Sequence, residues 1–315
     1  MSDDMNIAFG EYLMPAKHTA VHKFRDEEYY RTRDFDVEAI EGVKGGILLH
    51  LQGNVLGWIR ASSKYKFIHF IVGRHGLPFY YPESAGLQLY FFNSFLKDDD
   101  KDGWKSGKQP RARLTLRKAL SEHIPKSSAD MSTASPSDLR TRPLSSALEI
   151  TGHIVAHVTV AATQKSPDVA PPSDIDLFIT LFKIKARGEV FYTGTMGDPV
   201  PIVKGWQRVS LRKVNESNKL HQEYLPYRNY YSSDVRPVEE NQKYAVDVEV
   251  WPTNVVLEPE ETLVVEIAGH DAQGVGKFSH EDTDDRDPKT FDGKNIITVG
   301  GEASWITLPV INARG

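Results

Sequence analysis

The chain has 315 residues, 40% hydrophobic and 26% charged, with a formal net charge of −5 and a pI near 6.1. That is the composition of a globular protein long enough for two cores, and its acidic balance offers no basic stripe for nucleic acid. It has no cysteine, which removes disulfides, thiolate nucleophiles and cysteine-held zinc, and no run reaches the roughly 18 apolar residues of a membrane span. Neither nucleic acid nor a membrane is therefore an expected partner. The acidic opening MSDDMNIAFGEY lacks the apolar segment of a secretory signal, so the cytoplasm is the expected location.

In chain order, Asp26 to Asp34 reads as a polar helix or a helix end, and Val43 to Leu51 as a strand weakened by Gly45-Gly46. Tyr65 to Val72 (YKFIHFIV) is a stronger strand, apolar enough to be buried on both faces as in a parallel sheet. A helix is predicted from Glu83 to about Lys97. Proline stands before it, and Leu87, Tyr90, Phe91 and Phe95 form an apolar face that must lie on something. Together these elements make one βα unit.

A polar boundary follows at KDDDKDGWKSGK, Lys97 to Lys108, and a long surface loop is expected over Ser127 to Pro143. Beyond Ser146 the pattern turns to strands. Ile154, Ala156, Val158 and Val160 alternate, and Leu177 to Ile184 runs largely apolar. Tyr244, Val246, Val248 and Val250 alternate against Asp247 and Glu249. Leu263 to Ile267, Ile296 to Val299 and Ser304 to Val310 complete a set of short strands that argues for a jelly-roll sandwich.

Motifs for chemistry are sparse. No G-x-S-x-G elbow, Walker loop, G-x-G-x-x-G or H-E-x-x-H occurs in the sequence. Asp98-x-Asp100-x-Asp102-Gly103 imitates the start of a calcium loop, but Gln109 stands where a bidentate acid is needed, so a solvated linker is the better reading. The acidic run Glu281 to Asp287 reads as a solvated loop. His153 and His157, four apart in a strand, would lie about 13 Å apart, too far for one ion. His18 and His22 would share a helix face but lack a third ligand. Neither metal nor cofactor is expected. His75, in Gly73-Arg-His-Gly76 after the apolar strand, sits where open α/β sheets carry functional groups. It reads either as a catalytic base or as an exposed loop side chain. Trp206, Tyr230 and Tyr231 read either as a ligand-stacking surface or as packing, and packing is favoured.

Several stretches resemble one family in order. They are Ile71-Val-Gly-Arg-His75, FYYPES (79–84), LYFFNSFLK (89–97), Gly103-Trp104 and PRARL (110–114). DIDLFITLFK (174–183), PIVKGWQRVSLR (201–212), VEVWPT (248–253) and GGEASWITLP (300–309) follow. Together they resemble the end of the catalytic domain and the jelly roll of the X-Pro dipeptidyl-peptidase and cocaine-esterase serine hydrolases. The resemblance implies a mainly β protein: a galactose-binding-like jelly-roll β-sandwich over 108–315, behind a truncated α/β-hydrolase remnant over 1–107. It implies that His75 occupies the catalytic histidine position, on a chain that lacks the serine-bearing part. The acid-bearing loop is contracted into Lys44 to Ile47, Asn54 nearby is no carboxylate, and Leu211 stands where a histidine is expected. The expectation is a hydrolase-family chain, inactive alone or part of a longer enzyme. Its α/β remnant would associate with itself or with a missing catalytic half. The alternative is a non-catalytic jelly-roll binding or interaction module.

Overall fold

The computed structural model describes residues 23–32, 47–49, 53–71, 77–117, 137–186, 188–194, 198–272, 280, 283 and 285–311. After a one-turn helix α1 (Glu28–Arg31), the first part runs β1 (Ile47–Leu49), α2 (Gly53–Arg60), β2 (Lys66–Phe70), α3 (Pro82–Leu96) and β3 (Ala112–Leu114). The three strands pair parallel in the order β1-β2-β3. This is βαβαβ, one crossover more than the single βα unit read from the sequence. Helix α2 (GNVLGWIR) escapes propensity reasoning because Gly53 and Gly57 each cost roughly 1 kcal/mol against alanine. Tertiary contacts support its end: Lys66 Nζ donates to the carbonyls of Ile59 and Ala61 at 3.1 and 2.7 Å.

Helix α3 keeps the predicted amphipathic logic but turns it slightly. Leu87, Phe91 and Phe95 pack with Phe67, Tyr65 and Trp104 in an aromatic nest, with Phe67–Trp104 centroids 4.8 Å apart, edge to face. Tyr90 stays outside that face, exposed with Leu89, Phe92 and Leu96. In the following boundary, Asp100 accepts the amides of Lys105 and Ser106, and these hold its carboxyl below the usual range. Asp98 adopts φ 60° and pairs with Lys105. These acids are thus occupied in turning the chain.

The second part is one curled antiparallel sheet. In chain order it contains β4 (Ser137–Arg140), β5 (Leu148–Thr163), β6 (Asp176–Lys185), β7 (Gly188–Val190) and, in a separate two-stranded ladder, β8 (Tyr192–Thr193) and β9 (Pro199–Val200). Then come β10 (Val203–Arg208), β11 (Tyr244–Leu257), β12 (Thr262–Ala268), the short helix α4 (Pro288–Phe291), β13 (Lys294–Thr298), β14 (Trp305–Thr307) and β15 (Val310–Ile311). The order β13-β5-β11-β10-β6-β12-β4 folds into two leaves, with β14 and β15 strung along β5 after β13. The leaves face each other through Ile154, Val158, Val246 and Val248 on one side and Leu177, Ile179, Leu181, Val265 and Ile267 on the other. The expected β-sandwich is present. Ser137 to Arg140, placed in a surface loop by its polar composition, is instead the edge strand β4, a place that tolerates polar residues.

Two local devices shape the curl. Inward residues of β11 are even-numbered to Val250 and odd-numbered from Val255, because an extra residue is inserted between Val250 and Thr253. This bulge preserves the inward face while bending the strand. Opposite it, Gly152 of β5 takes φ 139°, a backbone conformation that glycine alone adopts readily. The leaves join where β10 meets β11 at the pair Gly205–Val250. A Cβ at Gly205 would lie 2.3 Å from the Glu249 carbonyl oxygen, so only hydrogen fits.

Within the fold, Lys183 and Glu261 form a buried ion pair at 2.9 Å, 0% and 2% exposed at the side chain. Lys183 also donates to the Val256 carbonyl, and Lys185 reaches the other Glu261 oxygen. Burial lowers the Lys183 pKa; burial opposes ionisation of Glu261 too, but the two ammonium groups outweigh it and hold that carboxyl low. Among the described residues no helix is long and apolar enough to cross a membrane.

Replacing Gly205→Ala should destabilise the protein by about 3 kcal/mol or more, because backbone atoms must move. Urea denaturation checks this; a midpoint unchanged from the parent would refute the tight crossing.

Candidate functional site

The candidate catalytic residue His75 lies outside the described residues, as do His18, His22 and Lys44 to Gly46. The described flanks of the His75 loop are the end of parallel strand β2 at Phe70 and the start of α3 at Pro82. Asn54 is the second residue of α2. The remaining candidates fall in the described part and can be followed one by one.

His153 and His157 both lie on β5 but serve different neighbours. His157 Nδ1 is 2.6 Å from Asp247 Oδ1, and its ring stacks on Trp305 with centroids 4.3 Å apart and planes at 22°. Its Nε2 lies 3.5 Å from the Thr307 hydroxyl. Carboxylate, imidazole and hydroxyl thus line up as in a hydrolase relay. The last contact is at the limit of a hydrogen bond, however, and exposed Thr307 stands on an open sheet face. A nucleophile there has no enclosed site in which oxyanion donors could act.

His153 is 8% exposed, and neither ring nitrogen has a hydrogen-bond partner. Glu249 approaches its Nδ1 only to 4.0 Å, too far to bond, so burial dominates and lowers the imidazole pKa. Burial likewise raises the Glu249 carboxyl, against the opposing fields of Arg228 and Arg60. Among the described residues no group of three or more histidine, aspartate or glutamate side chains is placed to hold a metal.

Of the candidate aromatics, Trp206 is 37% exposed and contacts Trp251 and His280 at 5.2 and 4.6 Å. Tyr230 donates its hydroxyl to Gln207, and Tyr231 lies at the start of a short 3-10 turn. Trp251, on the bulge, was not picked out by sequence, although its position in the bend of β11 exposes it to 43%. Leu211 closes a 3-10 turn whose carbonyl receives Gln207 Nε2. In the acidic run, Asp285 pairs with Arg208 and Asp287 caps α4.

The junction between the two sheets is built of polar contacts. After β3, the Thr115 carbonyl accepts from Asn254 Nδ2 at 2.6 Å, while its amide returns to Phe70. Arg117 then bridges to Val255 and sends its guanidinium to the carbonyls of Asn254 and Ile202 and the hydroxyl of Thr253. It also covers the Tyr192 ring at 4.7 Å. Asp26 binds the hydroxyl and amide of Ser232, which hold its carboxyl below its usual range, and the Arg25 amide donates to the Tyr230 carbonyl. The strand β3, expected to lead into the β domain, therefore belongs by pairing to the parallel sheet, and the crossing takes place at Thr115 to Arg117.

A model of the X-Pro dipeptidyl-peptidase C-terminal non-catalytic domain matches residues 97–307. Over 130 residues the chain is 27% identical to two proteins named as serine esterases, from Mycobacterium bovis and Mycobacterium tuberculosis; the match covers 41% of this chain and 18% of each of theirs. In structure the chain resembles a CocE/NonD family hydrolase of Staphylococcus aureus, with TM-score 0.74 and 17% identity over 96% of this chain and 61% of that one. An aminopeptidase from a marine sediment archaeon gives TM-score 0.60 at 11% identity, over 98% and 62% of the two chains. At these identities the structural likeness shows the fold. The chain spans about three-fifths of the length of the solved structures it matches.

Three substitutions test the junction and the buried His153 and Glu249. Arg117→Met should cost about 3–5 kcal/mol in chemical denaturation, since several buried acceptors lose a charged donor together. His153 has its folded pKa below the unfolded 6.5, so the unfolded state binds more protons as pH falls below 6.5, and stability declines there. His153→Phe should flatten that decline in melting temperature between pH 7 and 5. Burial raises the Glu249 carboxyl, so it contributes stability below its unfolded pKa that is lost as pH rises through its folded one, the opposite sense to His153, and Glu249→Gln should steepen the acid-side decline.

Proposed function

The chain belongs to the hydrolase family that carries the X-Pro dipeptidyl-peptidase C-terminal domain, and from that premise we propose that it is the non-catalytic β module of an acyl hydrolase. In this reading residues 108–315 form the module and residues 1–107 a histidine-bearing α/β remnant. The observation that carries the proposal is a pairing of two facts. The matched domain is the non-catalytic one, and 315 residues contain no G-x-S-x-G elbow.

In a complete serine hydrolase of this kind, serine attacks the acyl carbon, histidine moves the proton, a carboxylate orients the imidazole, and water releases the acyl group. His75 takes the proton-shuttle role in this proposal, and serine and acid come from outside this sequence. A histidine without its nucleophile has no hydroxyl to activate. The half-exposed face of α3 at Leu89, Phe92 and Leu96 suits the seat of the missing α/β half or of a second copy.

A second reading has a specific observation behind it. Trp206 and Trp251, both over a third exposed, stand side by side with His280 on the sheet surface. Such a platform fits a binding module that stacks planar or sugar rings.

Purified chain should show no hydrolysis of p-nitrophenyl esters or X-Pro-p-nitroanilides above the buffer rate, and no labelling by a fluorophosphonate probe. A labelled serine with matching turnover would overturn the non-catalytic reading. Ring-current shifts of Trp206 and Trp251 on sugar titration would favour the second.

A further inference from the structure

The described residues leave an unfilled space between the leaves of the sandwich, away from the junction. It has a volume of about 190 Å³ and lies where β4 and β12 face β5 and β14. Leu139, Val265 and Ile267 line it from one leaf and Val158, Ile306 and Leu308 from the other. The sequence cause is local. The inward row of β5 drops from Ile154 to Ala156 beside this space, and β4 and β14 are short strands of four and three residues. The leaves therefore part at one edge instead of interdigitating.

We propose that this space is a binding site for a neutral aryl group or short alkyl chain. The size argument is direct. An apolar cavity of about 150 Å³ stays dry and takes benzene, so a slightly larger one takes a ring with one or two added carbons. The polar argument decides the charge of the ligand. Three polar side chains along the lining are engaged within the protein: His157 by Asp247, Ser304 by the Thr159 amide and the Thr298 carbonyl, and Thr141 by the Leu263 amide, while Arg140, 56% exposed and paired with Asp138, and the Trp305 indole lie at the solvent-facing rim. Inside the space a charged group would be desolvated among aliphatic side chains, with only the rim arginine within the lining to answer it, and a water would find too few partners. The rim carries Leu139 and Trp305, 41% and 50% exposed, so entry needs no opening of the core. This site is independent of the hydrolase reading, because none of its residues belongs to the junction or the His75 loop.

Toluene titrated into the whole chain, followed by methyl-resolved NMR, tests the proposal. Saturable ring-current shifts should centre on Leu139, Val158, Val265, Ile267, Ile306 and Leu308, with a dissociation constant of about 1 mM or tighter. Ala156→Leu, which fills the space, should weaken binding at least about ten-fold, a change of roughly 1.4 kcal/mol. Should that variant fail to fold, Leu139→Trp at the exposed rim replaces it, with the same expected loss. Shifts that do not saturate, shifts spread evenly over the core, or undiminished binding in the folded variant would each overturn the proposal. Equal saturable binding of sodium hexanoate at the same methyls would overturn the assignment of a neutral ligand.

Discussion

A half-buried guanidinium ties the two sheets of this protein together. Arg117 sits just past the last parallel strand and spends its donors on carbonyls and a hydroxyl that belong to the other sheet. Among the described residues no carboxylate neutralises it there; what compensates its lost hydration is a set of main-chain dipoles and the face of Tyr192. Main-chain acceptors at a bulge are fixed by the strand itself, so the arginine finds them preorganised. The bulge in β11 thus serves twice, since it bends the sheet into a sandwich and turns Thr253 and Asn254 toward the incoming chain.

The same economy of polar groups governs the interior. Lys183 is wholly buried, yet it is hydrogen-bonded to Glu261 and to the Val256 carbonyl, which is the condition under which a buried charge is tolerated. Arg208 and Arg286 share Asp176 on the outer face of β6, beside Phe178. These pairs cover a strand whose first eight residues are all buried. Strand β6 consequently has apolar contacts on one face and an ionic lid on the other.

Much of the fold was legible because period two survives in the sequence. Ile154 to Val160 and Tyr244 to Val250 alternate visibly, and both became the long strands of one leaf. Strand β10 was not read as a strand, since Gly205 and Gln207 occupy its inward positions and hide the alternation. Helix α2 was hidden by glycine, and β4 by its polar composition. The candidate site was less legible. Arg117 carries no local signal, because its partners lie far along the chain and are mostly carbonyls, which any residue supplies. His153 and His157, too far apart along the strand to share an ion, also part in environment: His157 pairs with Asp247 on β11, while His153 is buried with no hydrogen-bond partner.

The pairing of β5 with β11 also has a meaning for the order of synthesis. Strand β5 emerges from the ribosome long before β11 exists, and its other edge is completed only by β13, β14 and β15 near the end of the chain. Meanwhile the apolar β6 has also been made and is without its neighbours β10 and β12. Non-local ladders of this kind close late and slowly. Strand β5 therefore stays without its long partner until residues 244–257 have been made, and the edge it exposes over that interval is set by topology before any property of the finished fold.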